Sequence, residues 1–482
     1  MKEKRKIFTQ GVFYVSIARY SGILISIIIG SILARLLTPE EFGIVAIVIV
    51  LIVFFNLLSE FGIGPAIIQN KQLSPKNIQS IFTFSILLGL FLASMFFLAA
   101  PIIASQYNEP KLIVICRWLA IIILVQSMRV VPNALLQKNH QFKLLGIVTV
   151  VIQLSSGIIA IILAFSGYSY YSLIIRSLVA SISTLIIFVI LAPMSARICW
   201  DMRPLRKIYA FSSFQFMFNF INYFTRNADK LLIGKYLNVA SLGFYEKAYT
   251  LMLLPVGSLT DVITPVLFPI LSNYQNDKNY IFDIFCKTIR VLAFIGFPLS
   301  VFLYYSSAEL IYLVFGKQWT DSIPVFRLLS LTVGVQIVFS SSGSIYQSLN
   351  RTDLLFYSGL LGSFIMIGSI SYGVFIGKSI EAVAEFLAYA FWSGFIIGPI
   401  FLVKIAMGAS LIQFYKIFIS PFLVSAIMAI SLAAVATLNI SSSIIILALN
   451  LSFLMIGIIV LFLSHAETWE LSKDLIRKLV NK

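Results

Sequence analysis

Long apolar runs, broken by short polar or turn-forming stretches, account for nearly the whole chain. They fall near 11–37, 41–69, 77–105, 112–137, 142–166, 169–193 and 206–235, then 240–272, 282–306, 323–348, 353–376, 380–404, 413–437 and 442–464. A helix needs roughly 20 mostly apolar residues to cross a bilayer. Each run is long enough, so the pattern predicts an all-α integral membrane protein with about 14 transmembrane helices. Turn chemistry marks several boundaries. In Thr38-Pro-Glu-Glu41, Thr38 is placed to cap the second helix, Pro39 suits its first turn and Glu41 completes a capping box. Ser74-Pro75 does the same for the third helix.

Charge in the connections sets an orientation. Lys2, Lys4, Arg5, Lys6, Lys71, Lys76, Lys138, Lys143, Arg203, Arg206 and Lys207 lie on one side. Lys278, Arg351, Lys404, Lys473, Arg477 and Lys478 continue the series, while Gly167-Tyr-Ser-Tyr170 and Asn439-Ile-Ser-Ser442 carry no positive charge. The positive-inside rule then puts both termini in the cytoplasm, as an even number of spans requires.

Composition agrees with the periodicity. Of 482 residues, 60% are hydrophobic and 11% charged, with mean hydropathy +0.98; soluble domains are about a quarter charged. The net charge of +16 would suggest nucleic-acid binding in a soluble protein, but here it follows the alternate loops, and no nucleic-acid partner is expected. Cys116, Cys199 and Cys286 are scattered, and His140 and His465 are isolated, so neither a disulfide framework nor a metal site is expected. The basic N-terminus with its apolar run is too long for a cleaved signal peptide and reads as a retained first span. The tail 466–482 is amphipathic, with Trp469, Leu475, Ile476 and Leu479 against Lys473, Arg477 and Lys478, and is expected along the inner interface.

Self-comparison reveals a repeat. A shift of 200 residues lays Arg35–Gly43 over Lys235–Gly243, Thr38 over Asn238 and Pro65 over Pro265. A shift of 210 lays Arg117 over Arg327, Gln126 over Gln336 and Gln137 over Gln347. Helices one to six therefore match seven to twelve, and because six is even the two lobes share one orientation, a parallel repeat. The boundaries expected are 1–200 and 201–406 for the lobes, 407–465 for two added helices and 466–482 for the tail.

Polar side chains at membrane depth mark candidate chemistry, because a charge near the bilayer centre costs about 2.5–3.5 kcal/mol on insertion scales. They are Arg19, Arg129 and Arg176, with Asn56 and Glu60, in the first lobe. In the second they are Asn219, Asn222, Arg226, Asp229, Lys230, Glu246, Lys247, Asp261, Arg290, Glu381 and Glu385. Asp229 can pair with Lys230 or Lys247 as structural glue, and Arg35, Arg117, Lys235 and Arg327 lie near helix ends and can snorkel. Arg19 and Arg176 have no acid within a turn, and guanidinium groups in a cavity fit phosphate oxygens bidentately. Glu60, Asp229, Asp261 and Glu385 are candidates for Na⁺ or H⁺ coupling; no other cofactor is expected.

The segment Arg226-Asn-Ala-Asp-Lys-Leu-Leu-Ile-Gly234, with Leu242-Gly-Phe-Tyr245, Ala248-Tyr249, Phe268-Pro-Ile-Leu-Ser272 and Leu33–Gly43, resembles the polysaccharide transporters of the MOP flippase superfamily, in its Wzx-type, colanic-acid-exporter-like branch. The resemblance spans roughly residues 5–410. It implies two lobes working by alternating access, and a flippase for polyprenyl-diphosphate-linked oligosaccharides serving O-antigen, capsule or exopolysaccharide assembly in a bacterial plasma membrane. Arg19, Arg129, Arg176, Asn56, Asn219, Asn222, Arg226, Lys230 and Arg290 would then meet the diphosphate or the glycan. A polysaccharide polymerase and chain-length machinery would be further partners. The second helix departs from the peptidoglycan-precursor flippases of that superfamily, offering Asn56 and Glu60 where they carry an arginine, which disfavours lipid II. A multidrug exporter of the same fold and a membrane-embedded polymerase or ligase stay open as alternatives; the arginine excess argues against the first, and short outer loops against the second.

Overall fold

The computed structural model describes residues 2–60, 63–69, 73–192, 194, 201, 203–437 and 442–464, with the side chains of 2–16, 65, 66, 69, 203–219, 261–266, 268–270 and 273 excepted. The expected tail 466–482 therefore lies outside the described residues, as do the side chains of the Pro65–Pro265 match.

The first part of the chain runs α1 (Lys2–Leu36), α2 (Pro39–Glu60), α3 (Ile63–Gln69), α4 (Pro75–Tyr107), α5 (Lys111–Lys138), α6 (Phe142–Phe165), α7 (Tyr171–Leu191), α8 (Arg203–Tyr236) and α9 (Val239–Leu271). The second runs α10 (Lys278–Tyr305), α11 (Ser307–Val314), α12 (Ser322–Ser330), α13 (Val333–Phe339), α14 (Ser342–Ser348), α15 (Thr352–Tyr372), α16 (Ile380–Pro399), α17 (Leu411–Lys416), α18 (Ile419–Ala436) and α19 (Ser443–Ser464). Short π-helical stretches extend α15 through Gly373–Gly377 and α16 through Ile400–Met407. There is no strand among the described residues.

Among those residues eleven helices are long and apolar enough to cross a membrane, or twelve counting the bent α12–α14 segment as one span, against the fourteen expected. The chain is a multi-pass helical membrane protein. Two compact units divide it, Met1–Gly243 and Phe244–Lys482. In the first, α4 packs along α5, α1 along α6, and α7 against both α5 and α6, while α8 packs on α2 and α4. In the second, α10 is central, with α12, α13, α18 and α19 against it and α15 beside α16.

The turn chemistry read from sequence forms as expected. Thr38 N–H donates to Glu41 Oε2 at 2.7 Å and Glu41 N–H donates to Thr38 Oγ1 at 3.3 Å, closing the capping box of α2. Ser74 accepts from Asn77 N–H at 3.2 Å at the start of α4. Asn238, opposite Thr38 in the repeat, accepts from Ser241 N–H at 2.6 Å and caps α9. Beside the α2 cap, Ser169 Oγ donates to Glu41 Oε1. Burial pushes the neighbouring Tyr170 phenol up to about 12, with Tyr171, Glu109 and Glu41 adding to the rise.

The repeat recurs in three dimensions. Left-handed residues end corresponding segments: Asn108 and Gly316, His140 and Asn350, Ser169 and Lys378. Arg117 lies over the Phe97 ring at 5.1 Å and Arg327 over Tyr304 at 5.6 Å. A Cβ on Gly89 would press on Ser127 and Leu124, and a Cβ on Gly296 would press on Ile337 and Gly334, the residues 210 further on. Along 111–123 and 321–333 the order of buried and exposed positions is the same, apart from differences of degree at Ile113/Ile323 and Trp118/Leu328. The offset thus grows from 200 at α2 and α9, through 207 at α4 and α10, to 210 at α5 and α12.

Some boundaries differ from the sequence reading. The first helix begins at Lys2, about nine residues earlier than the apolar run, because its basic start continues the helical backbone. The second helix ends at Glu60 rather than near 69, and the remainder forms the short α3, whose Ile67 carbonyl accepts from Lys138 Nζ at 3.0 Å. The run 323–348 is not one helix. Ser330 and Ser340 return their hydroxyls to the carbonyls of Phe326 and Ile337, both at 2.6 Å, and Thr332 bonds Leu329 O at 2.7 Å. Such back-bonding competes with the main-chain ladder and bends helices.

Candidate functional site

On α2, Ile49, Val53, Asn56 and Glu60 recur at intervals of three and four and share one face. Ile49, Val53 and Glu60 are exposed on that face, while Asn56 is half-buried. The Oδ1 of Asn56 is buried and accepts no hydrogen bond from the described residues. An unmet acceptor of this kind costs about 1–3 kcal/mol. It marks a position where a polar ligand group is favoured. α2 packs on α5, and this leaves Glu60 and Arg129 near enough for their charges to be felt through space, without a hydrogen bond or ion pair between them. Arg176, on the adjacent α7, is half-buried and has no polar partner among the described residues.

α8 is tied to α2 by its aromatic side. Tyr223 OH donates to Val50 O at 2.8 Å, and the Phe54 ring meets Phe220, Tyr223 and Phe224 at centroid distances of 5.9, 5.3 and 5.7 Å. Helical periodicity then turns Asn222 and Arg226, both exposed, to a different side of α8. Asp229 is only 2% exposed and accepts from Lys230 N–H at 2.8 Å. The donor is the main-chain amide of Lys230 and not its ammonium group.

The remaining candidates are dispersed. Arg19 is exposed on α1, which packs along α6. In the second unit Arg290 is half-buried on α10, one turn from Cys286. Glu385 is exposed on α16 and accepts from Tyr389 OH at 2.7 Å. The side chains of Asn219 and Asp261 lie outside the described residues.

Sequence reasoning gave Glu60 and Arg129 separate roles, and the structure makes them neighbours. The two are 69 residues apart on different helices, and no local pattern links them. It also missed the setting of Lys247, which is 8% exposed with its Nζ over the Phe315 and Trp319 rings at 5.1 and 5.4 Å. Chemically, the face on α2 and α5 offers a guanidinium, a carboxylate and an unmet amide oxygen at membrane depth. A guanidinium can bind an anion where a carboxylate does not compete for it, and an amide oxygen can accept from a hydroxyl.

A family model described as "Polysaccharide biosynthesis protein" matches residues 32–324. The teichuronic acid biosynthesis protein TuaB of Bacillus subtilis (strain 168) is 25% identical over 440 residues, 88% of each chain. The lipopolysaccharide biosynthesis protein WzxC of Escherichia coli (strain K12) is 26% identical over 419 residues, 85% of each. In fold, the chain is similar to the lipid II flippase MurJ in an inward closed conformation, with TM-score 0.74 and 15% identity over 96% of this chain and 99% of that one. An inward-facing multidrug resistance MATE family transporter of the MOP superfamily matches with TM-score 0.58 and 14% identity, over 81% of this chain and 98% of that one.

Proposed function

This chain belongs to the polysaccharide biosynthesis protein family, and we propose that it flips polyprenyl-diphosphate-linked oligosaccharides from the cytoplasmic to the outer leaflet of a bacterial plasma membrane. The observation that carries this reading is the family match, joined to the Asn56–Glu60–Arg129 group and Arg176 on the spanning helices α2, α5 and α7 of the first unit. Relatives named for teichuronic acid and lipopolysaccharide biosynthesis support it.

In this reading Arg129 and Arg176, with Arg19, Arg226, Lys230 and Arg290, receive the diphosphate, and Asn56, Asn219 and Asn222 meet the glycan. Glu60 neutralises Arg129 between substrates; it and Asp229, Asp261 and Glu385 are the positions where Na⁺ or H⁺ would couple. Residues 1–200 and 201–406 act as two lobes in alternating access, both termini face the cytoplasm, and a polymerase with its chain-length machinery takes the product. Moving one charge through 100 mV is worth about 2.3 kcal/mol. A diphosphate leaving a negative-inside cell therefore moves downhill, and flipping slows when the potential alone is collapsed. An unchanged rate under fixed ion gradients would remove that part of the proposal.

The test is made on the lipid carrier of cells lacking this protein. Complete repeat units should accumulate where reagents outside the membrane cannot reach them, and wild type should clear them while Arg176→Ala does not. Accumulation on the outer face would instead place the step after flipping, in polymerisation or ligation.

A further inference from the structure

Arg117 and Arg327 occupy one position in the two halves of the repeat and neither belongs to the site described above. Each guanidinium lies over an aromatic ring of the preceding segment, Phe97 or Tyr304. Arg327 Nε also donates to Ser307 Oγ at 3.2 Å. Neither arginine has an acidic partner among the described residues.

Their surroundings indicate what they face. On α5 the exposed stripe is Val114, Arg117, Trp118 and Ile121; on α12 and the turn after it, Pro324, Arg327 and Leu331 are exposed. Trp118 is 53% exposed, and Leu98, beside the ring that supports Arg117, 73%. An exposed apolar stripe on a spanning helix faces hydrocarbon, where an uncompensated charge is unfavourable unless it reaches an anion or water. α5 has 28 residues, about 42 Å of helix, against a hydrocarbon core of about 30 Å. Arg117, six residues from the Lys111 end, lies about 9 Å along the helix from that end, about 3 Å inside the hydrocarbon boundary of a centred helix, from which a long guanidinium side chain snorkels to the lipid headgroups. Arg327 lies five residues into α12, at the matching end by the repeat.

We propose that Arg117 and Arg327 are equivalent docking points, one in each unit, for the phosphate of a membrane lipid headgroup. The ring beneath each guanidinium orients its plane and leaves an edge free for two parallel N–H bonds to phosphate oxygens. Lysine would keep the charge and lose both the stacking and the fork.

The test uses the purified full chain, delipidated and titrated with phosphatidylglycerol, with retention read by native mass spectrometry. Arg117→Gln and Arg327→Gln should each weaken retention roughly fivefold, the factor for about 1 kcal/mol per basic residue near the membrane surface. The double variant should lose both sites, while retention of diacylglycerol, which has no phosphate, stays unchanged. Phe97→Leu and Tyr304→Leu keep the charge and should show a smaller loss in the same direction, with melting temperature reporting integrity throughout. Added undecaprenyl phosphate that displaces phosphatidylglycerol more than weight for weight would assign the points to the carrier lipid; equal or weaker displacement would assign them to bulk phospholipid. Unchanged phosphatidylglycerol retention in the double variant would overturn the proposal, and a loss confined to one arginine would overturn the equivalence.

Discussion

α5 and the segment α12–α14 occupy corresponding places in the repeat, yet one is a continuous helix of 28 residues and the other breaks twice. Their buried positions follow the same register. The difference is local. Where the second half has Ser330, Thr332, Ser340 and Ser341, the first has Ala120, Ile122, Val130 and Val131, which have no hydroxyl to return to the backbone. α5 keeps one such bond, Ser127 Oγ to Ile123 O at 3.0 Å, and stays continuous, so the breaks go with the clustering of these hydroxyls and not with any one of them. The break also frees Gly334 N–H, which donates to Ser300 Oγ at 2.7 Å; the residue matching Ser300 in α4 is Ala93, where an unbroken partner helix leaves no donor to satisfy. Arg129 of α5 corresponds to Phe339 of α13, which packs on Phe395 at 5.7 Å. The two segments share their buried register, and they differ in the cluster of hydroxyls that accompanies the breaks. The first half carries the charge at this position, and the second carries an aromatic core.

The largest effect should come from the contact that the repeat makes with itself. A Cβ on Gly43 would fall inside the carbonyl oxygen of Val239, and one on Gly243 inside that of Pro39. These are reciprocal contacts between the first turns of α2 and α9, both backbone and unable to yield. Gly43→Ala and Gly243→Ala should each cost about 3 kcal/mol or more, read as a fall in melting temperature. Gly359→Ala, with nothing within 4 Å, should change stability by no more than about 1 kcal/mol, on the stabilising side. A tolerated alanine at Gly43 would break the reciprocity.

Next comes the charge asymmetry. Arg129→Gln should weaken substrate binding roughly ten- to hundredfold, since a hydrogen bond to a charged group is worth about 1.5–3 kcal/mol. Phe339→Leu should leave binding unchanged and lower only the melting temperature. Equal loss of binding in both would show that the halves share the load. Ser300→Ala should destabilise by about 1–3 kcal/mol by stranding the Gly334 N–H, while Ala93→Ser should be nearly silent in the same melting assay. The smallest effect belongs to the caps: Thr38→Ala and Asn238→Ala should each cost about 1 kcal/mol, and a clear inequality would show that one cap has acquired another role.

Much of this was legible beforehand because it is local or periodic. The apolar runs place most helices, and Thr38, Glu41, Ser74 and Asn238 bond as their spacing requires. The 200-residue shift reappears in the caps Thr38 and Asn238 and the reciprocal Gly43 and Gly243, and the 210-residue shift in matched left-handed residues at offsets of 208–210 and matched cation–π contacts. The breaks after Ser330 and Phe339 were hidden by an unbroken apolar pattern, because hydropathy does not register where a hydroxyl turns back on its own helix.

The sequence by itself determined that the chain is a repeated helical membrane protein and which residues are polar at depth, since solvent preference and capping act within a few positions. Only the tertiary structure decided which of those polar residues meet. Glu60 comes within electrostatic range of Arg129, and Tyr223 turns Asn222 and Arg226 to another side of α8, because α2, α5 and α8 pack through apolar and aromatic faces. Those faces lie far apart along the chain, so which charges they bring together is a property of the packing.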